Sequence, residues 1–126
     1  MPDSRVHLVA ASKQPVVSEH GLVVVPDMAF EEAPSFDVLF VPGGPGVNRM
    51  LEDATFIAFL RRQGEQARFV TSVCTGALLL GAAGLLRGYR ATTHWLSLDL
   101  LRLVGAEPIA ERVVVDRNRI TGAGVT

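Results

Sequence analysis

The sequence is poor in cysteine: Cys74 is the single one in 126 residues. A lone cysteine forms no internal disulfide, which excludes a disulfide-stapled secreted scaffold and favours a reducing, cytoplasmic location. His7 and His20 have no companions at metal-ligand spacing. We therefore expect no metal site and no cofactor.

Runs of like charge and long apolar runs are also missing. Twelve basic and thirteen acidic residues leave a formal charge of −1, and without a Lys/Arg run we expect no nucleic-acid contact through this domain. The longest apolar stretch, residues 77–86, is far shorter than the roughly 18 residues that cross a bilayer. Since the first residues also lack the features of a signal peptide, we expect no membrane partner.

What is present is the composition of a folded globular domain. Hydrophobic residues make up 48% of the chain and charged residues 20%, far from the composition of disordered segments. The length predicts a single domain over residues 1–126, large enough to bury a core without disulfides or a structural metal.

Strand-like and helix-like patterns alternate along the chain. Strands are predicted at residues 5–11, 37–41, 68–72 and 90–93, hairpins at 15–17/22–25 and 112–115/119–121, and helices from the N-cap Asp53 to Gln66, at 77–86, and at 96–104 before the C-cap Gly105. The continuous apolar run 37–41 is typical of a strand buried on both faces. This order predicts a doubly wound α/β domain with a mostly parallel sheet, which binds ligands beyond the carboxyl ends of its strands.

Cys74 lies where the predicted strand 68–72 gives way to the predicted helix 77–86. A nucleophile on such a sharp strand-to-helix elbow needs small residues two positions away on either side, and Ser72 and Gly76 supply them. The helix start also favours thiolate over thiol. The alternative is a small buried hydrophobe, but the flanking residues favour a nucleophilic Cys74.

Two other strand ends carry candidate residues. Gly43 and Gly44 follow strand 37–41, and the amides of Gly44 and Thr75 are placed to form an anion pocket over the sulfur; an ordinary strand-to-helix turn fits the same pattern. His94 ends strand 90–93 and could orient or protonate a ligand. A half-buried core histidine is the alternative for His94.

The motifs VPGG, SVCTG and ATTHW resemble the ThiJ/PfpI superfamily, whose members are relatives of class I glutamine amidotransferases. The second half is especially similar to the isocyanide hydratase branch and to ligand-binding domains of AraC-type regulators. The resemblance implies a flavodoxin-like fold, a homodimer, catalytic Cys74 and Thr75, and a substrate site with Gly43, Gly44 and His94. Protease-like members carry histidine directly after the nucleophile, so threonine at position 75 favours the hydratase branch.

One family feature has no counterpart that we can identify. Members place an acidic residue on the first strand-to-helix loop, where it hydrogen-bonds the cysteine. The available carboxylates, Asp27, Glu31, Glu32 and Asp99, are interpreted as solvated surface charges. We expect the family's first strand–helix unit and its C-terminal helices to be absent, which makes the domain incomplete at both ends.

The function predicted from this resemblance is hydration of an isocyanide, a small-molecule substrate, to an N-substituted formamide by a carbon–nitrogen lyase. Two alternatives stay open. One is a non-catalytic ligand-sensing domain like that of AraC-type regulators. The other is a redox sensor in which Cys74 is oxidised to sulfenic or sulfinic acid.

Overall fold

The computed structural model describes residues 3–124 and contains two units, the first ending at Pro34 and the second beginning at Ser35. The first unit has four short strands, β1 (Val9–Ala10), β2 (Val16–Val17), β3 (Val23–Val24) and β4 (Met28–Ala29), and a 3₁₀ turn at Phe30–Glu32. β2 and β3 form the predicted antiparallel hairpin. β1 pairs in parallel with β4 and is shorter than the predicted strand 5–11, because its register with β4 covers Val9 and Ala10.

The second unit is built on a four-stranded sheet. Its strands are β5 (Val38–Val41), β6 (Phe69–Val73), β9 (Val113–Asp116) and β10 (Arg119–Gly122), in the order β5-β6-β10-β9. β5, β6 and β10 run parallel, and β9 is the antiparallel partner of β10 in the predicted hairpin. Two more strands, β7 (Arg90–Ala91) and β8 (Glu107–Pro108), pair with each other.

The helices of this unit are α1 (Val47–Met50), α2 (Ala54–Gln66) and α3 (Gly76–Ala82), and a 3₁₀ helix covers Trp95–Val104. α2 begins at its predicted N-cap, because the Asp53 carboxylate accepts a hydrogen bond from the Phe56 amide at 3.1 Å. The 3₁₀ helix ends at the predicted Gly105, whose φ is +81°. No helix among residues 3–124 has the length and apolarity needed to cross a membrane.

α3 is shorter than the predicted helix 77–86. Gly84 adopts a φ of +80°, a left-handed conformation that ends helices. The amides of Gly84 and Leu85 then bond back to carbonyl groups of Gly81 and Leu80. The sequence contains two glycines in this stretch, Gly81 and Gly84, and the prediction continued the helix past both of them.

The sheet buries one of its faces. Leu39, Val41 and Val70 lie in the core with α3. On the other face of β5, Val38 is 50% and Phe40 59% exposed. The prediction that strand 37–41 is buried on both faces is therefore wrong for the described residues, since hydrophobicity alone does not reveal which neighbours cover a strand.

Candidate functional site

Cys74 is the first residue after β6 and lies two residues before α3. Its φ is +56°, in the left-handed region that costs a residue with a Cβ roughly 1–2 kcal/mol. The chain therefore turns sharply from strand to helix at the cysteine, as the predicted elbow requires. The side chain is partly exposed and forms no disulfide.

Small residues let the strand ends approach this elbow. A Cβ on Gly76 would overlap the carbonyl oxygen of Val41, and a Cβ on Gly43 would lie 2.5 Å from the Thr75 hydroxyl and 2.6 Å from the Thr75 amide. Ser72, the other small residue of the predicted elbow, is buried beneath it. The end of β5 and the start of α3 are thus in backbone contact.

The Gly44 amide donates a hydrogen bond to the Thr75 hydroxyl oxygen at 3.1 Å. This contact joins the glycine loop to the elbow, and it occupies the amide that the sequence suggested for an anion pocket. Because the hydroxyl accepts from Gly44, its own proton remains available for another acceptor. The two catalytic candidates, Cys74 and Thr75, are therefore adjacent to the two glycine candidates.

Three threonines that the sequence analysis did not single out also lie around this site. The Thr93 hydroxyl donates to the carbonyl oxygen of Cys74 at 2.7 Å, and the Cys74 amide donates to the Gly122 carbonyl at 2.9 Å. The Thr92 amide donates to the Thr121 hydroxyl at 2.9 Å. No spacing rule in the sequence predicts these bonds, since they join segments that are far apart along the chain.

His94 follows Thr93 and is half-buried. Its Nδ1 accepts a hydrogen bond from the Leu96 amide at 3.2 Å, which makes His94 the N-cap of the 3₁₀ helix. A neutral ring in this arrangement carries its proton on Nε2. The ring stacks on the exposed Trp95 with centroids 5.7 Å apart, so His94 has a structural role in addition to its position beside the elbow segment.

The four carboxylates considered in the sequence are all exposed. Within the first unit, Asp27 accepts from the Leu8 amide at 2.9 Å, and Glu32 accepts from the Ala29 amide and lies 3.0 Å from Lys13. The Ala29 amide, followed by Lys13, holds the pKa of Glu32 below its ordinary value. In residues 3–124 no three His, Cys, Asp or Glu side chains converge as a metal site.

An open groove of about 530 Å³ lies at the opposite end of the sheet, where β10 begins. Two of its arginines serve the turn that ends α3: Arg61 Nε donates to the Ala83 carbonyl at 3.0 Å, and Arg119 Nε to the Leu85 carbonyl at 2.8 Å. Cations suit a helix C-terminus, where carbonyl groups lack intrahelical partners. The groove is thus accounted for by helix capping, and we place the candidate site at Cys74.

Comparison with known proteins gives consistent matches. The model of the DJ-1/PfpI family matches residues 2–126. Isonitrile hydratase of Pseudomonas putida is 54% identical over 126 residues, which are 100% of this chain and 55% of that protein. The HTH-type transcriptional regulator GbdR of Pseudomonas aeruginosa is 34% identical over 124 residues, 97% of this chain and 34% of the regulator.

A solved structure of a ThiJ/PfpI family protein from Pseudomonas syringae matches with a TM-score of 0.93 and 50% identity, over 96% of this chain and 51% of that one. This match confirms the predicted α/β fold class. The chain spans about half the length of the hydratase and of this solved protein.

Proposed function

Because the chain belongs to the DJ-1/PfpI family, we propose that it uses Cys74 to hydrate an isocyanide to an N-substituted formamide. The observation that carries the proposal is the elbow, in which Cys74 has a φ of +56° and is partly exposed. The choice of substrate follows the 54% identity with isonitrile hydratase. Threonine at position 75 supports it, since protease-like members carry histidine there.

In the proposed reaction the Cys74 thiolate forms a bond to the terminal carbon of the isocyanide. A proton is delivered to that carbon, which gives a thioimidate. Water then adds to the same carbon and the nitrogen is protonated. Finally the carbon–sulfur bond breaks, the thiolate leaves, and the hydroxyl on carbon loses its proton as the formamide carbonyl forms. One water is consumed and the thiolate is regenerated.

Thr75 is the proposed hydrogen-bond donor and proton relay. Its hydroxyl accepts from Gly44 and is left with a proton to pass to the reacting carbon or nitrogen, while the hydroxyl takes a proton from water in the same step. Gly43 allows this approach because it has no side chain, and the apolar Trp95 beside His94 suits a nonpolar substituent on the isocyanide. If no carboxylate takes part in proton transfer, we expect turnover to be about 10²- to 10⁴-fold lower than with such a carboxylate.

The test is formamide production from a simple alkyl isocyanide by the wild type and by Cys74→Ala, Thr75→Val and Thr75→Ser. We expect Cys74→Ala to abolish turnover, Thr75→Val to reduce it by about 10²-fold or more, and Thr75→Ser to retain most of it. Unfolding curves establish that each variant is folded. Formamide formation at the wild-type rate by folded Cys74→Ala would contradict the proposal.

A second candidate function is ligand sensing without chemistry, which the 34% identity with the regulator GbdR over 97% of this chain favours. If the wild type binds isocyanide saturably but forms no formamide, ligand sensing is favoured over hydration. The redox alternative is tested with dilute peroxide, where oxygen adducts at Cys74 in the intact mass, without turnover, would favour a sensor.

We also propose a homodimer. The hairpin β2–β3 of the first unit and the residue after it expose three valines on one face, Val17, Val23 and Val25, all more than half exposed, and apolar surface of this kind marks contact sites. Light scattering after size exclusion should give a dimer mass for the wild type and a monomer mass for Val17→Lys. A monomeric wild type, or an unchanged dimer in Val17→Lys, would contradict this assignment.

A further inference from the structure

The backbone of Cys74 is held from two sides by other segments of the second unit. Its amide donates to the Gly122 carbonyl at the end of β10, and its carbonyl accepts from the Thr93 hydroxyl at 2.7 Å. Thr93 is 1% exposed, so bulk water does not compete for this bond. Thr93 supplies the side-chain half of a clamp on the nucleophile.

These bonds belong to a closed circuit. From Gly122 the chain leads back to Thr121, whose hydroxyl accepts from the Thr92 amide, and Thr93 returns the path to Cys74. Thr92, Thr93 and Thr121 are all nearly inaccessible to solvent. Breaking one link therefore leaves a buried polar group without a partner.

The clamp acts on a residue in an unfavourable conformation. A non-glycine residue persists at a positive φ only where its surroundings over-determine it. If the carbonyl of Cys74 were released, Cys74 could relax from its positive φ, and the direction of its Cα–Cβ bond and hence of the sulfur would change. A displacement of about 1 Å at a reacting atom is enough to cost a hundredfold in rate.

We propose that Thr93 is a positioning residue, which holds the Cys74 carbonyl and thereby directs the sulfur toward the substrate. The catalytic part of this inference rests on the proposed function. The orientation of the sulfur is independent of the substrate, because it also determines how fast Cys74 reacts with an alkylating agent.

The experiment compares Thr93→Val, Thr93→Ser and the control Thr92→Val. Thr92 is as buried as Thr93, its amide bond to Thr121 survives the change, and its own hydroxyl only approaches the Thr93 carbonyl at 3.5 Å. We measure kcat and KM for formamide formation and, separately, the rate of Cys74 alkylation by iodoacetamide from pH 6 to pH 9, a range that includes the pKa of an ordinary thiol, about 8.5.

We expect Thr93→Val to lower kcat by about ten- to a hundredfold with little change in KM, and to lower the rate of Cys74 alkylation across this pH range. Thr93→Ser should restore both, and Thr92→Val should resemble the wild type. The proposal would be overturned if Thr93→Val and Thr92→Val had the same alkylation profile and the same kcat.

Two further results distinguish the positioning role of Thr93 from a loss of folding in the variant and from a failure of the proposed substrate. If Thr93→Val does not fold, Thr121→Val loosens the same circuit without removing the Thr93 hydroxyl, and it should lower the alkylation rate in the same direction; an unchanged rate overturns the proposal. If the wild type does not hydrate isocyanide but its alkylation still depends on Thr93, the proposed substrate fails and the positioning role stands.

Discussion

Two glycines at the candidate site differ sharply in what surrounds them. The Cβ of an alanine at Gly43 would lie 2.6 Å from the Thr75 amide nitrogen, whereas one at Gly46 would meet nothing within 4 Å. Gly46 has a φ of −72°, which alanine adopts without strain. The pair therefore separates local crowding from the general effect of replacing a glycine.

We expect Gly43→Ala to lower the free energy of unfolding by about 1–3 kcal/mol, because the backbone must shift to accept the methyl group. Gly46→Ala should change it by less than about 0.5 kcal/mol. Urea unfolding of both variants and the wild type measures the difference. Equal stability of the two variants would mean that β5 and α3 are not in the contact described.

The residues of the elbow could be predicted because their spacing is local. Ser72 and Gly76 flank Cys74 by two positions, and a sharp turn demands small residues there. The bond from Thr93 could not be predicted, since a hydroxyl of one segment meets a backbone carbonyl 19 residues away. The prediction for the Gly44 amide missed the competing Thr75 hydroxyl, which is equally unreadable from spacing.

Among the secondary-structure elements, the helix caps could be predicted from the sequence, but which face of a strand is buried could not. Asp53 and Gly105 mark ends of helices by local chemistry that the sequence displays. The exposed face of β5, with Val38 and Phe40, has the same apolar composition as the buried face. Which face is covered depends on the packing of other elements, and the run of residues 37–41 carries no information about that.

The hairpin β9–β10 is tied to β7 by one carboxylate. Asp116 accepts from the side chain of Arg117 at 3.2 Å and from the Arg90 amide at 2.8 Å. The Arg117 side chain, followed by the Arg90 amide, lowers the pKa of Asp116 from its ordinary value of 3.8. Since the folded state holds the ionised form more tightly, the charge stabilises the fold above pH 3.8 and this contribution is lost as pH falls through the lowered pKa.

We therefore expect Asp116→Asn to be less stable than the wild type at neutral pH, by an amount that shrinks as the pH falls below 3.8. Urea unfolding at a series of pH values measures this difference. Arg117→Gln should show the same trend, because it removes the charged partner. A stability difference that does not vary with pH would contradict the assignment.

The molecule as a whole consists of two units of very different construction. Strands of the first unit are two residues long, and the side chains of its hairpin are exposed. The second unit has the four-stranded sheet and most of the buried side chains, among them Val70, Leu80 and Leu101. Resistance to local opening follows buried apolar contact.

Amide hydrogen exchange of the intact chain should therefore show two levels of protection. We expect the amides of β2 and β3 to exchange well before those of β6 and β10, whose ladder bonds lie beside the core. Mass spectrometry of peptides from a pulse-labelled sample reads out each segment. Equal protection of the hairpin and of β6 would show that the two units open together.

The contact between Gly76 and the carbonyl of Val41 leaves no compressible space beneath the nucleophile. Sheet and helix already touch through main-chain atoms, so shortening a side chain cannot separate them there. Trp95 and Leu96, in the segment after His94, are exposed, and their side chains can be shortened without opening the core. Sequence drift among relatives of this chain should accordingly be tolerated after the histidine and excluded at the glycine.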